Sequence, residues 1–141
     1  MIVMAFKPEH LETLVLQPAQ EMARVDIAGK GYGEALAKSD SFTALIDGRV
    51  AACAGVIPMW EGRGEAWAMI AGDVGPMGML RIHHAVKRYL DLNGLRRIEA
   101  ACDAGFAQAH RWLLLLGFHY EGPLAKYTPD GRDCVRYARI R

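Results

Sequence analysis

Histidine and cysteine are the residue types in this sequence that most readily bind metals or act as nucleophiles. His83 and His84 are adjacent, but no HExxH pattern and no metal-binding Cys/His spacing accompanies them. We interpret the pair as core or surface residues and predict no metal site. The cysteines are odd in number and widely spaced, which favours reduced, mostly buried thiols over a disulfide framework. They are Cys53, Cys102 and Cys134.

The bulk composition is that of an ordinary globular protein. The chain has 141 residues, of which 52% are apolar and 23% charged, and its formal net charge is +1. This length predicts a single domain over residues 1–141. The small net charge gives no electrostatic reason to expect nucleic acid or a membrane as a partner. No apolar run approaches the about 18 residues of a membrane span, and no signal-peptide pattern is seen, so we expect a cytoplasmic protein.

Apolar spacing, proline and glycine predict the first elements. Residues 2–6 form a short apolar run that predicts a strand. From Glu9 the apolar residues recur at helical spacing, and Pro18 should break or kink this helix near Leu16. A glycine loop and a short helix over residues 34–38 should follow. The apolar helix positions and the loop glycines are Leu11, Leu14, Val15, Met22, Val25, Gly29, Gly31 and Gly33.

A β-hairpin is the strongest local signal in the middle of the chain. The Asp-Gly pair at positions 47–48 suits a type I′ turn, which needs positive φ at both central positions. The turn joins predicted strands at 42–46 and 50–57, and the small apolar residues of the second strand suggest burial on both faces. A turn at 61–64 then leads to a third strand over residues 65–71.

Helices and strands alternate in the second half. The glycine-rich stretch 72–78 leads into a helix from about Met79, which stops at Asn93-Gly94. A strand at 98–102 precedes a helix that Asp103 can cap. The second of these helices ends at Leu116 before Gly117, and two strands, 118–121 and 134–140, close the chain. The buried face of the first helix should be either Leu80, His83, Val86 and Leu90, or Ile82 and Tyr89.

The element order predicts the fold class. It reads β, α, α, three antiparallel strands, α, β, α and two strands. Such an order is typical of an α/β (α+β) protein with a mixed, mostly antiparallel sheet and helices on both faces.

Four segments of the chain resemble one known family. The Gcn5-related N-acetyltransferases, in particular their divergent form in tailed phages and prophages, have similar segments in the same order, so the resemblance covers nearly the whole chain. The segments are GYGEALAKSDSFTALIDGRVAACAGVIPMW, Trp67 with AMIAGD, the RWL and LGF groups at 111–113 and 116–118, and the closing DGRDCVRYAR.

The resemblance implies acetyl-CoA as the cofactor. In this superfamily its pyrophosphate lies on backbone N–H groups of a glycine-rich loop at a helix N-terminus, where free amide donors and the helix dipole favour anions. The strand before that loop would pair with the pantetheine amide, and a basic residue one turn into the helix could assist. The implied cofactor residues are Met69, Ile70, Ala71, Val74, Gly75, Met77, Gly78 and Arg81.

The loop departs from the family pattern at several positions. With Gly75 as the first glycine, Gly72 stands where Arg or Gln belongs, and Met77 stands where the second glycine belongs. Pro76 removes one N–H donor, and Asp73 adds a negative charge beside the implied polyanion. The alternative interpretation is a strand-to-helix turn whose glycines serve chain geometry alone.

The usual catalytic residues of the family are also replaced. Leu113 stands where the family has its Tyr general acid, and Phe106 where it has an Asn. Asp103 and Glu99 are the candidate catalytic residues as general base, with Asp103 alternatively a helix cap and Glu99 alternatively a solvent-facing strand residue. Glu65 and Asp73 are the other candidate carboxylates.

Arginines recur through the C-terminal segment. With Asp130 and Asp133 nearby, they favour a solvated edge strand over a nucleic-acid surface. These arginines are Arg132, Arg136, Arg139 and Arg141.

Two functions therefore stay open. The first is an acetyl-CoA-dependent N-acetyltransferase-like protein whose acceptor is a small-molecule or protein amine. The second is a catalytically inactive phage or prophage structural or interaction protein of the same fold, with virion partners. A homo-oligomer is compatible with either.

Overall fold

The structure is a computed structural model that describes residues 1–20 and 31–141. Met22, Val25 and Gly29, which the sequence places in the first helix and its following loop, lie outside the described residues.

The described residues form seven strands, four α-helices and one 3-10 turn. The strands are β1 (Ile2–Ala5), β2 (Asp40–Ile46), β3 (Arg49–Trp60), β4 (Arg63–Ile70), β5 (Arg97–Asp103), β6 (His119–Leu124) and β7 (Cys134–Ile140). The helices are α1 (Glu9–Thr13), α2 (Tyr32–Ala37), α3 (Gly75–Leu92) and α4 (Ala107–Leu115), and the 3-10 turn is Pro18–Gln20.

The strands pair in the order β1-β2-β3-β4-β5-β7-β6. The β4–β5 pairing is parallel, whereas β1–β2, β2–β3, β5–β7 and β6–β7 are antiparallel. The predicted α+β class, with a mixed and mostly antiparallel sheet, is confirmed.

The chain divides into two compact units. The first contains Met1–Ile57 and Trp67–Val86, and the second contains Pro58–Ala66 and Lys87–Arg141. The prediction of a single domain stays a prediction.

The β2–β3 hairpin forms at the predicted turn. Asp47 has φ 52° and Gly48 has φ 75°, so both turn residues lie in the left-handed region that a type I′ turn requires. The predicted burial of β3 is also confirmed along its centre, where Ala51, Ala52 and Cys53 are buried.

The first helix ends earlier than the sequence pattern predicts. Its last residue is Thr13, and Leu14 already has extended backbone with ψ 122°. Leu14 and Leu16 are both buried, and Leu16 forms an antiparallel bridge with Ala71. Tertiary pairing with the end of β4 therefore replaces the helical turn that apolar spacing favoured.

Two further helix predictions need correction. α2 begins at Tyr32, so Gly33 lies inside the helix and not in a loop before it. α3 begins at Gly75 and not at Met79. Ile82 and Leu90 are buried while Leu80 is 47% exposed, so the predicted face that contains Leu80 is wrong at that position.

The core of the first unit joins the N-terminal segment to β3 and β4. Leu11, Leu14 and Cys53 are almost fully buried there. Phe6 packs edge-to-face on Trp67, with ring centroids 5.4 Å apart. Burial raises the pKa of the Cys53 thiol to about 11, so this cysteine is an inert core residue.

We expect Leu14→Ala to lower the free energy of unfolding by about 2–5 kcal/mol, because it leaves a cavity in this core. Leu14 has no exposed surface, whereas Leu115 is 67% exposed, which makes Leu115→Ala the matched control. Urea denaturation of both variants measures the difference. Equal losses for the two variants would contradict the described packing of Leu14.

Candidate functional site

The turn from β4 to α3 is exposed at its centre. Asp73, Gly75, Pro76 and Met77 are all exposed, and Met77 retains 65% of its accessible surface. The first turn of an α-helix leaves N–H groups without an intrahelical partner, and Pro76 has no N–H to offer. Gly75 and Met77 are therefore the exposed residues with a backbone N–H at the start of α3, whereas Gly78 is buried.

The two glycines that open α3 have structural reasons of their own. Gly75 has φ +72°, a backbone conformation that side chains rarely tolerate. At Gly78 an added Cβ would lie 2.6 Å from Val74 Cγ1 and 3.1 Å from Ile46 Cδ1, so only glycine fits without a shift. Chain geometry accounts for both glycines, and their role toward a cofactor stays a prediction.

Asp73 does not stand as an isolated negative charge. Its carboxylate lies 3.1 Å from the guanidinium of Arg49, at the start of β3, and both side chains are largely exposed. Sequence reasoning missed Arg49, because 24 positions separate the two residues in the chain and no local pattern connects them. The pair offsets the charge that appeared to disfavour an anion beside the turn.

Both backbone edges at the end of β4 form hydrogen bonds. Met69, Ile70 and Ala71 are buried, and the Ala71 N–H donates to the Ala51 carbonyl of β3 at 2.8 Å. Successive backbone groups of a strand point to alternate edges. Those of Ile70 and Gly72 therefore lie on the edge that faces away from β3, which we call the outer edge of β4.

Residues 15–17 pair with this outer edge. The Gly72 N–H donates to the Val15 carbonyl at 2.8 Å, and the Gln17 N–H donates to the Ile70 carbonyl at 3.3 Å. These two bonds flank the bridge between Leu16 and Ala71. A short stretch of the chain therefore occupies the edge like an added strand.

The side chain of Gln20 forms two further hydrogen bonds to the outer edge of β4. Its Nε2 donates to the Ala68 carbonyl at 2.8 Å, and its Oε1 accepts from the Ile70 N–H at 3.1 Å. The strand that the family resemblance assigned to pantetheine pairing is thus hydrogen-bonded to the protein's own chain. The sequence held no signal for this role of Gln20, which lies 50 positions before Ile70.

The predicted base Glu99 is buried within two ion pairs. Arg63 contacts its Oε2, and Arg97 lies 2.9 Å from its Oε1. Burial alone would raise the pKa of Glu99, but the hydrogen bonds and charges of Arg97 and Arg63 outweigh it, so the pKa is lowered. The interpretation of Glu99 as a solvent-facing residue is wrong, because only 5% of it is exposed.

The predicted base Asp103 is engaged in a turn. Its Oδ1 accepts from the Gly105 N–H at 2.9 Å, and its Oδ2 contacts Arg132. α4 begins at Ala107, its N-cap residue is Phe106, and no side chain caps it. Asp103 is therefore not the helix cap that the sequence suggested, because the turn places it too far before the first helical residue.

The C-terminal arginines do not form a solvated edge. β7 lies between β5 and β6, so it is not an edge strand. Arg136 pairs with Glu65 of β4, with its Nη1 3.0 Å from Oε2. Arg139 contacts Asp91, and Arg132 contacts Asp103. Ion pairs within the second unit account for these three arginines, because acidic residues distant in the sequence lie beside them. Arg141 is exposed and donates to the backbone carbonyls of Asp91 and Asn93.

A histidine–tyrosine pair that the sequence did not indicate lies between β5, α4 and β7. His110 Nδ1 is 2.7 Å from the Tyr137 hydroxyl oxygen, and His110 Nε2 is 3.0 Å from the Ala104 carbonyl. A carbonyl only accepts, so a neutral ring carries its proton on Nε2 and accepts from Tyr137 at Nδ1. Burial raises the pKa of Tyr137 and raises that of nearby Cys102 to about 11, so both are weak acids although Tyr137 donates a hydrogen bond.

The positions of the missing family residues are apolar packing sites. Leu113 is buried and Phe106 is half-buried. Among residues 1–20 and 31–141 no cluster of His, Cys, Asp and Glu could hold a metal ion. In the same part of the chain, every helix is too short or too polar to cross a membrane.

Solved structures with a similar fold cover nearly the whole chain. Comparison of the sequence with family models and with curated proteins finds no match. Ard1 from Thermoplasma volcanium has a TM-score of 0.78 and 13% identity, covering 99% of this chain and 96% of its own. An N-acetyltransferase from Staphylococcus aureus Mu50 has a TM-score of 0.71 and 16% identity, with 99% and 97% covered. A ribosomal-protein-alanine N-acetyltransferase from Brucella melitensis has a TM-score of 0.68 and 15% identity, with both chains fully covered.

These likenesses establish the fold. The chain has the fold of the Gcn5-related N-acetyltransferases, as the sequence resemblance implied. Whether it is a phage-type member stays a prediction.

We expect Glu99→Gln to lower the free energy of unfolding by about 3 kcal/mol or more at pH 7, because it leaves two arginines without their buried partner. The Glu99 pKa is lowered in the folded state. The stability that ionised Glu99 contributes is therefore fully present above the ordinary carboxyl pKa of the unfolded state. It is lost as the pH falls through the lowered pKa of the folded state. Urea denaturation at pH 7 and at pH 3 should show a difference that shrinks in acid.

Glu121→Gln is the matched control for this variant. Glu121 pairs with the same Arg97 but keeps 36% of its side chain exposed, so we expect a loss of about 0–1 kcal/mol. A Glu99→Gln loss that stayed constant from pH 7 to pH 3 would show that the ionised pair is not its cause.

Proposed function

We propose that this protein is an acetyl-CoA-dependent N-acetyltransferase that transfers an acetyl group to an amine. One observation carries the proposal: the fold matches N-acetyltransferase structures over 99–100% of the chain. The Brucella melitensis protein is named for ribosomal-protein alanine, and another structure of similar fold, an aminoglycoside 6'-acetyltransferase type Ii (TM-score 0.66, 13% identity), is named for aminoglycosides. The acceptor here is therefore proposed only as a small-molecule or protein amine.

Acetyl-CoA would supply the acetyl thioester. The turn at 72–78 is the proposed pyrophosphate site, because Gly75 and Met77 at the start of α3 are exposed and carry backbone N–H groups, with Gly78 buried behind them. Arg49 is proposed as a source of positive charge beside the turn, through its pair with Asp73. Arg81 is exposed on the next turn of α3 and is proposed as a second cation toward the phosphates.

Asp103 is the better of the two candidate bases. Glu99 is held by two arginines and its pKa is lowered, so it has little tendency to take a proton. Asp103 pairs with one arginine and is half-buried, which leaves it more accessible to an amine. Neither Leu113 nor Phe106 can donate a proton, and we propose that solvent water protonates the departing thiolate.

The inactive phage or prophage protein is the alternative function, and it predicts no cofactor binding. The proposed site of action is the cytoplasm for the enzyme and the virion for the alternative. The absence of nucleic-acid and membrane partners is part of the proposal for either function, and a homo-oligomer is compatible with both. Calorimetric titration with acetyl-CoA and CoA separates the two functions. We expect saturable binding and a rise in melting temperature with either ligand, because ligands that bind the native state stabilise it by mass action. A flat titration at millimolar cofactor would contradict the enzyme.

We expect Met77→Glu to weaken CoA binding about tenfold or more, because a carboxylate at the start of α3 would repel the pyrophosphate and compete for its N–H groups. The same charge favours the helix itself, so the variant should fold as well as the parent. Met77→Gln has a similar size without the charge and serves as control. Similar affinities for the two variants would place the phosphates elsewhere.

Asp73→Asn should tighten CoA binding about three-fold, because it removes a negative charge and releases Arg49 from its ion pair. The gain should shrink at 0.5 M salt, which screens exposed charges. Calorimetry at low and high salt measures both effects. Weaker binding by this variant would argue against Arg49 as a phosphate contact.

A further inference from the structure

The outer edge of β4 is occupied in two different ways. At Ile70 and Gly72 it pairs with the backbone of residues 15–17, whose central Leu16 is only 4% exposed and belongs to the core. At Ala68 and Ile70 its partner among residues 1–20 and 31–141 is the Gln20 side chain. The first contact is part of the folded core, whereas the second depends on one carboxamide.

The carboxamide of Gln20 presents the same groups as a peptide-like amide. Its oxygen accepts from the Ile70 N–H, and its nitrogen donates to the Ala68 carbonyl. A strand edge binds an extended ligand through this alternation of acceptor and donor, whatever chain carries it. A trans amide points its N–H and its C=O in opposite directions. An extended ligand could therefore replace the Gln20 carboxamide with the C=O of one amide and the N–H of the neighbouring amide, without any change in the β4 backbone.

The two contacts differ in what their loss would cost. Releasing residues 15–17 would expose Leu16 and break two backbone hydrogen bonds. Releasing Gln20 breaks two side-chain hydrogen bonds to β4 and a third, at 3.2 Å, in which Gln17 Nε2 donates to its Oε1. Gln20 is half-buried, so water can solvate its amide after release. The side chain is the replaceable part of the edge.

We propose that the Gln20 carboxamide holds the place of the ligand amides on the outer edge of β4. The two amides of the pantetheine arm of acetyl-CoA displace it, one through its C=O and the other through its N–H, and the arm leaves the edge at Ile70, where the pairing of residues 15–17 begins. This inference rests on the proposed function, because the displacing ligand is acetyl-CoA.

Gln20→Ala tests the inference through affinity. The variant removes the competing amide, so calorimetry should show acetyl-CoA and CoA binding about tenfold tighter than in the parent. Gln108, exposed on α4, provides the control Gln108→Ala, whose affinity should equal that of the parent. If the parent and Gln20→Ala bind equally, the inference is overturned while the proposed function stands. If neither binds at millimolar ligand, the proposed function fails.

Amide hydrogen exchange supplies a readout that does not depend on the ligand. In Gln20→Ala the Ile70 amide should exchange about tenfold faster or more, since it loses its acceptor. The Ala71 amide, bonded to Ala51, should keep its rate. Addition of CoA to this variant should restore protection at Ile70. Unchanged exchange at Ile70 in the free variant, or no restoration in the bound one, would overturn the inference.

Discussion

The first unit depends on the backbone hydrogen bonds of residues 70–72, at the end of β4 and just beyond it. Ala71 pairs with β3 on one edge, and Ile70 and Gly72 pair with residues 15–17 on the other. With both edges engaged, the position and direction of the chain at Gly72 are fixed. The turn that follows then needs positive φ at Gly75 and a missing side chain at Gly78 to start α3 against Val74 and Ile46.

In the second unit, ion pairs with arginines hold the carboxylates in place. Glu99 is buried on β5 and is tolerated there because arginines from β4 and from β5 itself contact its two oxygens. Glu65 and Asp103 are likewise paired with arginines of the C-terminal segment. The candidate carboxylates are therefore all paired with arginines. Of the two proposed bases, Asp103 contacts one arginine and Glu99 contacts two, so Asp103 is the less constrained.

Local signals predicted the fold well where one interaction type dominated. The Asp47–Gly48 hairpin and the boundaries of β7 agree with the sequence prediction, because turn geometry and alternation are properties of a few neighbouring residues. The end of α1 was predicted less well. Leu14 and Leu16 fit a helical pattern, but their burial in extended conformation depends on β4, which follows more than 40 positions later. The same limitation hid the outer-edge role of Gln20.

The sequence by itself determined the order of elements, the α+β class and the resemblance to the acetyltransferase fold, together with the departures at Leu113 and Phe106. Only the tertiary structure decided which groups meet. It placed Arg49 beside Asp73, buried Glu99 between arginines and put the Gln20 carboxamide on the edge of β4. The physical reason is that periodicity and turn preference act between neighbours in the chain. Ion pairs and strand-edge hydrogen bonds act between neighbours in space.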